Sequence, residues 1–187
     1  ATVSVEDIIE VVYDKIRHTS SLNVRSGKLI PIETDKETVS SELNFLKDNY
    51  NTRFELESVL EYAGDENENL LEYKSLTPVI IVTTNDIILF DKDDVEINLG
   101  KFEIHIRLYR NTQHNYFLNK QYFTSTYNIE VIALNPNPPV TNDRVTHPNV
   151  EDDSICLGDG ENIVCNSLMH GRISDAFETI IRILKTV

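Results

Sequence analysis

Cysteine is scarce in this 187-residue chain: Cys156 and Cys165 are the whole supply. Two thiols cannot brace a disulfide-dense scaffold, so folding must rest on a hydrophobic core, and reduced thiols are the expectation. Long apolar runs are missing too. No stretch approaches the roughly 18 consecutive apolar residues of a membrane-spanning helix, and the first residues lack the basic-then-apolar order of a secretory signal. A cytoplasmic setting with no membrane partner is therefore expected. Positive charge is the third shortage. Seventeen Lys and Arg face 31 Asp and Glu, for a net charge of −14. Phosphate binding needs a basic stripe, so nucleic acid is not an expected partner, and basic protein surfaces are favoured instead.

What is present suits a folded protein. Hydrophobic residues at 40% and charged residues at 26% are ordinary globular values, and the length allows one domain with an appendage. Residues 4–17 carry an amphipathic helical pattern. Ser4 is the cap, Glu6 and Asp7 sit at the positive end, and Val5, Ile8, Ile9, Val12 and Ile16 form one stripe. A polar stretch with Gly27 and Pro31 follows. Thr34 or Asp35 caps a second predicted helix with Val39, Leu43 and Leu46 inward, and a third is predicted from Phe54 to Tyr62 through Leu56, Val59 and Leu60. The acidic, asparagine-rich segment from Gly64 to Glu72 reads as a loop.

The pattern changes at Pro78. Val79–Val82 and Ile87–Phe90 are short apolar runs bounded by turn residues, while Phe102–Leu108 and Tyr127–Leu134 alternate with period two, as strands with one solvated face do. Pro136, Pro138 and Pro139 end the last strand. A final helix is predicted from Ser174, with Phe177, Ile180, Ile181 and Leu184 inward. Helices first, strands second and a helix last make an α+β arrangement. The expected division is an N-terminal helical extension over residues 1–75 and a catalytic domain over 76–187.

The most informative segment is His147-Pro148-Asn149, followed seven residues later by Cys156-Leu157-Gly158, with the proline segment at 136–139 upstream. This order resembles the active-site region of ubiquitin-conjugating enzymes, most closely the divergent prokaryotic members of bacterial ubiquitin-like conjugation systems. The resemblance is carried by residues 133–158. It implies an antiparallel meander of about four strands with flanking helices, here with an extended helical N-terminus and a shortened C-terminus. It also implies that Cys156 accepts a ubiquitin-like protein as a thioester from an activating enzyme and passes it to an acceptor amine. Neither a metal nor an organic cofactor is implied. The implied partners are the ubiquitin-like protein, the activating enzyme, and a deconjugating protease or ligase of the same system.

The resemblance also suggests roles for the neighbours. Asn149 supplies an amide donor for the oxyanion of aminolysis, where one such donor is worth ~10²–10³ in rate; bracing its own turn is the rival role. His147 and Pro148 shape the loop. An attacking lysine must lose a proton from a group whose ordinary pKa is near ~10.4, and Asp153 and Asp159 are the nearest carboxylates to orient it. Glu151, Asp152, Asp153, Asp159 and Glu161 surround the thiol with negative charge, which suits a cysteine that reacts inside a complex with a positively charged partner. Glu151-Asp152-Asp153 is also a candidate receptor for a basic C-terminal tail of the modifier.

Departures from the family pattern are specific. The interval from Asn149 to Cys156 is one residue shorter than the common eukaryotic one, and Gly158 stands where those enzymes have Asp. Only one helix is expected after the cysteine, so the acidic or serine gateway residue of many members has no counterpart. Alternative readings are a catalytically inactive binding module that scaffolds a conjugation complex, a metal site from His147, Cys156, Cys165 and His170, and a redox pair of Cys156 and Cys165. The four potential ligands lack the close Cys-pair spacing of structural zinc sites.

Overall fold

Ser4 starts the first helix. Its Oγ accepts the backbone N–H of Asp7 at 3.3 Å, leaving Glu6 and Asp7 in the positive first turn. The computed structural model describes residues 2–23, 25–64, 70–116, 118–135 and 145–186, with only the backbone for 61–64 and 70–73. A short strand β1 (Thr2–Val3) precedes helix α1 (Val5–Ile16), whose buried stripe is Val5, Ile8, Val12 and Ile16. Asp35, not Thr34, caps α2 (Lys36–Asn49) by accepting the Thr38 N–H at 2.7 Å, and Val39, Leu43 and Leu46 are buried.

The polar stretch between these helices is a hairpin of β2 (Thr19–Asn23) and β3 (Lys28–Ile32), turned at Gly27 with φ +66°. The third predicted helix is a strand. Residues 54–62 lie within β4 (Asn51–Gly64), which pairs antiparallel with β5 (Leu70–Thr83) along its whole length. Leu56, Val59 and Leu60 fit helical spacing, but Phe54, Glu55, Leu56 and Glu57 also alternate in, out, in, out. Pairing with the buried run Val79–Val82 selects the second period. Of the predicted loop, residues 65–69 lie outside the described residues, and the rest belongs to these two strands.

The chain continues through β6 (Ile88–Phe90) and β7 (Glu96–Asn98), which form a separate two-stranded hairpin, then β8 (Phe102–Asn115) and β9 (Lys120–Ala133). A small three-stranded unit follows, made of β10 (Val145–His147), β11 (Val150–Glu151) and β12 (Ser154–Ile155). A 3-10 turn (Gly158–Gly160) leads to α3 (Glu161–Met169) and α4 (Ile173–Leu184). Two helices therefore follow Cys156 where one was expected. Ser174 does not cap α4; its hydroxyl donates to Glu42 of α2 at 2.8 Å, joining the two helices.

The expected fold class is corrected by the main sheet. It has seven strands in the order β1-β4-β5-β8-β9-β2-β3, and β2 runs parallel to β9. The architecture is a mixed α/β one with four helices among the described residues, not a four-stranded meander behind a helical extension. The reason is non-local. The N-terminal third contributes β1 to one edge and the β2–β3 hairpin to the other, and neither pairing is visible in local periodicity. Residues 75 and 76 both lie inside β5. One face of the sheet, with Phe54, Ile80, Val82, Ile104, Ile106 and Val131, packs on α1, α2 and α4.

Among the described residues no helix covers the opposite face, yet Val79 and Ile81 are fully buried there. Register places Val79 between Glu55 and Arg107, and Ile81 between Arg53 and His105. Long charged side chains roof these residues with their stems. Arg107 bonds both oxygens of Glu57 (3.0 and 3.1 Å) and reaches Glu130 at 2.5 Å, while Arg53 bonds both oxygens of Glu103 (2.9 and 3.2 Å). The Arg107 guanidinium holds the Glu57 carboxyl below its usual range, and Arg53, then His105, do the same for Glu103. Both carboxyls are lowered in the folded state, so their stabilisation is complete above the ordinary value of 4.5 and is lost as pH falls below it. Replacing Arg107→Ala should cost about 1–2 kcal/mol at pH 7, since it removes a bidentate pair and unroofs Val79. Urea melts at pH 7 and pH 4 should show this cost shrinking at the lower pH.

Candidate functional site

The interval between Asn149 and Cys156 becomes a hairpin with a two-residue turn. Val150 pairs with Ile155 and Glu151 with Ser154, leaving Asp152 and Asp153 as the turn. Both have positive φ, 52° and 60°, as a type I′ turn requires at its two central positions. The next rung joins the two predicted site residues: the N–H of Cys156 donates to the carbonyl of Asn149 at 2.8 Å. Opposed residues of an antiparallel pair project to the same side. Asn149 and Cys156 therefore share a face with Glu151 and Ser154, while Val150 and Ile155 pack on the core. This explains how Cys156 stands exposed between two anchored neighbours, Ile155 and Leu157. The turn is tied to the main sheet where the carbonyl of Asp153 accepts the N–H of Val131 at 2.9 Å.

His147 fastens the base of the hairpin. It is 2% exposed, and its Nδ1 accepts the backbone N–H of Asn149 at 2.9 Å. That bond leaves the proton on Nε2, which donates to the carbonyl of Leu184, the last residue of α4, at 2.6 Å. The ring also meets Phe102 edge-on, with centroids 6.0 Å apart. Both nitrogens are thus committed to backbone, and the ring is neutral. Burial pushes the His147 pKa below its usual value, with the Leu184 carbonyl acting the other way. The helix whose end it holds was legible in the sequence; the carbonyl of Leu184 as partner was not, because a backbone acceptor 37 residues away leaves no residue-type signal.

The other predicted residues fall around this unit. Pro148 follows His147 and lines, with Asn149, Glu151, Ser154 and Cys156, an open groove of about 520 Å³. Asp153 is exposed at the hairpin turn and Asp159 in the 3-10 turn, three residues to either side of the thiol. Ser154, two residues before Cys156 and on the same face, was not singled out from sequence; only the hairpin register identifies it. The glycines of the 3-10 turn have a structural cause. Gly158 has φ +54°, in the left-handed region that favours glycine, and a Cβ on Gly160 would stand 2.9 Å from Cδ1 of Ile183. Pro136, Pro138 and Pro139 lie outside the described residues.

Cys165 is half-buried on α3, its Sγ 3.8 Å from the sulfur of Met169. Neither cysteine is in a disulfide. His170 turns its Nδ1 to the Asn166 carbonyl at 2.8 Å. Among the described residues no three His, Cys, Asp or Glu side chains converge on a metal position, and no helix is long and apolar enough to cross a membrane. Comparison of the chain with protein-family models, curated proteins and solved structures returns no match.

Removing the imidazole exposes the constraint. His147→Phe leaves the Asn149 N–H and the Leu184 carbonyl without their partner and should cost about 2–4 kcal/mol. Because the folded pKa is lowered, the unfolded chain binds the extra proton as pH drops below 6.5. Stability from this residue is complete above that value and declines below it. Thermal melts between pH 7.5 and 5.5 should therefore fall more steeply for the wild type than for His147→Phe.

Proposed function

We propose that the chain is a carrier of the ubiquitin-conjugating type, which receives a ubiquitin-like protein on Cys156 from an activating enzyme and transfers it to an acceptor amine. The observation that carries this reading is the rung between Asn149 and Cys156, which sets an amide and an exposed thiol side by side on an anchored hairpin. The reading rests on this local chemistry, since the fold expected from the resemblance was overturned by the seven-stranded sheet.

The chemistry divides into two displacements. In the first, the Cys156 thiolate attacks the carbonyl carbon of the incoming thioester. The new C–S bond forms as the bond to the donor's sulfur breaks, and the donor leaves as a thiolate. Two thioesters of similar energy exchange, so access to the thiol matters most, and the open groove supplies it. In the second, an amine attacks the same carbon, its proton passes to a nearby base, and Cys156 departs as the C–N bond forms. Negative charge collects on the carbonyl oxygen between these events, and the Asn149 amide on the neighbouring rung is the donor for it. Asp153 and Asp159 are the carboxylates that orient the amine. His147 and Pro148 hold the hairpin, because both imidazole nitrogens already serve backbone.

Charging with activating enzyme, ubiquitin-like protein and ATP should give a thiol-sensitive adduct on non-reducing gels. The adduct should vanish in Cys156→Ala and persist in Cys165→Ala. In single-turnover discharge to free lysine, Asn149→Ala should slow transfer by about 10²–10³-fold while charging proceeds normally. No adduct from wild-type protein with a demonstrably active donor would overturn the carrier reading. The role of Asp153 has a clean test of its own. Asp153→Gly suits the positive φ of the turn and should stabilise the hairpin by about 0.5–1 kcal/mol. Slower discharge from this more stable variant separates the carboxylate from the turn; an unchanged rate removes Asp153 from the mechanism.

A further inference from the structure

The β6–β7 hairpin carries four exposed apolar side chains outside the site. Ile87 and Leu89 anchor it in the core, and its root is closed by bonds from the Ile87 N–H to Gly100 and from the Leu99 N–H to Ile87, both 2.8 Å. Beyond that root Ile88, Phe90, Val95 and Ile97 are 38, 57, 55 and 41% exposed. Register puts Ile88 and Phe90 on one side of the ribbon and Val95 and Ile97 on the other. Leu89, opposite Ile97, holds that second side to the core near the root, so the free apolar groups on both sides are those of the tip, Phe90 and Val95, a prong that suits insertion into a groove. The tip is built in advance: Asp91 Oδ1 accepts the N–H groups of Asp93 and Val95 at 2.8 and 2.9 Å.

Charge decides among occupants. Asp86, Asp91, Asp93, Asp94 and Glu96 accompany the apolar residues, against Lys92 alone, and all are exposed. A second copy of the chain would bring the same carboxylates face to face, and an anionic membrane would repel them. A protein groove with a basic rim complements both features. Position narrows the choice further. The hairpin joins the end of β5 to the start of β8, at the sheet end where β9 leaves for the thiol hairpin. Phe102, two residues after Gly100 at the hairpin root, contacts the ring of His147, which holds Asn149 opposite Cys156. The turn of the thiol hairpin, with its exposed acids Glu151, Asp152 and Asp153, is bonded through the Asp153 carbonyl to Val131, two residues before β9 ends.

We propose that the β6–β7 prong docks the enzyme that delivers the thioester, inserting Phe90 and Val95 into an apolar groove with a basic rim while Cys156 meets the donor sulfur. The inference rests on the carrier reading above, and adds the surface that brings the two thiols together. Phe90→Ser/Val95→Ser should raise KM for the activating enzyme by at least about tenfold, with kcat for charging unchanged. Asp93→Lys/Glu96→Lys should raise KM comparably at low salt and abolish the rise of KM with ionic strength seen for the wild type.

The experiment is a charging titration of wild type and both double variants with the activating enzyme, alongside Cys156 labelling by 5,5′-dithiobis(2-nitrobenzoate) and thermal melts. Raised KM with unchanged kcat, labelling rate and melting temperature supports docking. Unchanged KM in both variants, with the wild type charging normally, overturns docking and leaves the carrier reading standing. A fall in kcat or labelling rate at constant KM also overturns it, because the hairpin would then act by shaping the thiol loop. A wild type that labels normally but takes no adduct from an active donor overturns the carrier reading, and the docking proposal with it.

Discussion

The neutral imidazole of His147 is the constraint on which the thiol end of the molecule depends. Its two bonds run in opposite directions, accepting from Asn149 and donating to Leu184, so one ring joins the base of a short hairpin to the end of the last helix. Protonation would replace the acceptor at Nδ1 with a donor facing the Asn149 N–H, which would lose its partner, while Nε2 would go on donating to Leu184. A three-stranded unit this small has little core of its own. The imidazole, Val150 and Ile155 packed on the core, and the Asp153–Val131 bond together hold it.

From that anchoring follows the exposure of Cys156. A hairpin alternates its sides, so burying Val150 and Ile155 forces Asn149, Glu151, Ser154 and Cys156 outward together. The seven-residue spacing from Asn149 to Cys156 thus has a physical meaning: two rungs, a two-residue turn, and the rung that opposes amide to thiol. The turn is made of two aspartates in a conformation that glycine or asparagine adopts more easily. Their negative charge is kept three and four residues from the thiol at the expense of some local strain.

The sheet carries the hairpin and orients everything around it. Buried Val79 and Ile81, on the face that no helix covers among the described residues, are roofed by paired Arg and Glu side chains, so ionic groups help to close this layer of the core. The helix-covered face places α4 where its last carbonyl reaches His147.

Sequence alone determined the local features: the stripe and Ser4 cap of α1, the inward Val39, Leu43 and Leu46 of α2, and the His-Pro-Asn and Cys156 segments as one unit. Each depends on neighbours a few residues away, where propensity and spacing operate directly. Tertiary structure decided the rest. Residues 54–62 satisfied both a helical and a strand period, and only pairing with β5 chose between them. The parallel contact of β2 with β9 and the Leu184 carbonyl as the partner of His147 both join residues far apart in the chain. Such contacts are made between backbone groups that every residue carries, so the identity of the side chains does not announce them.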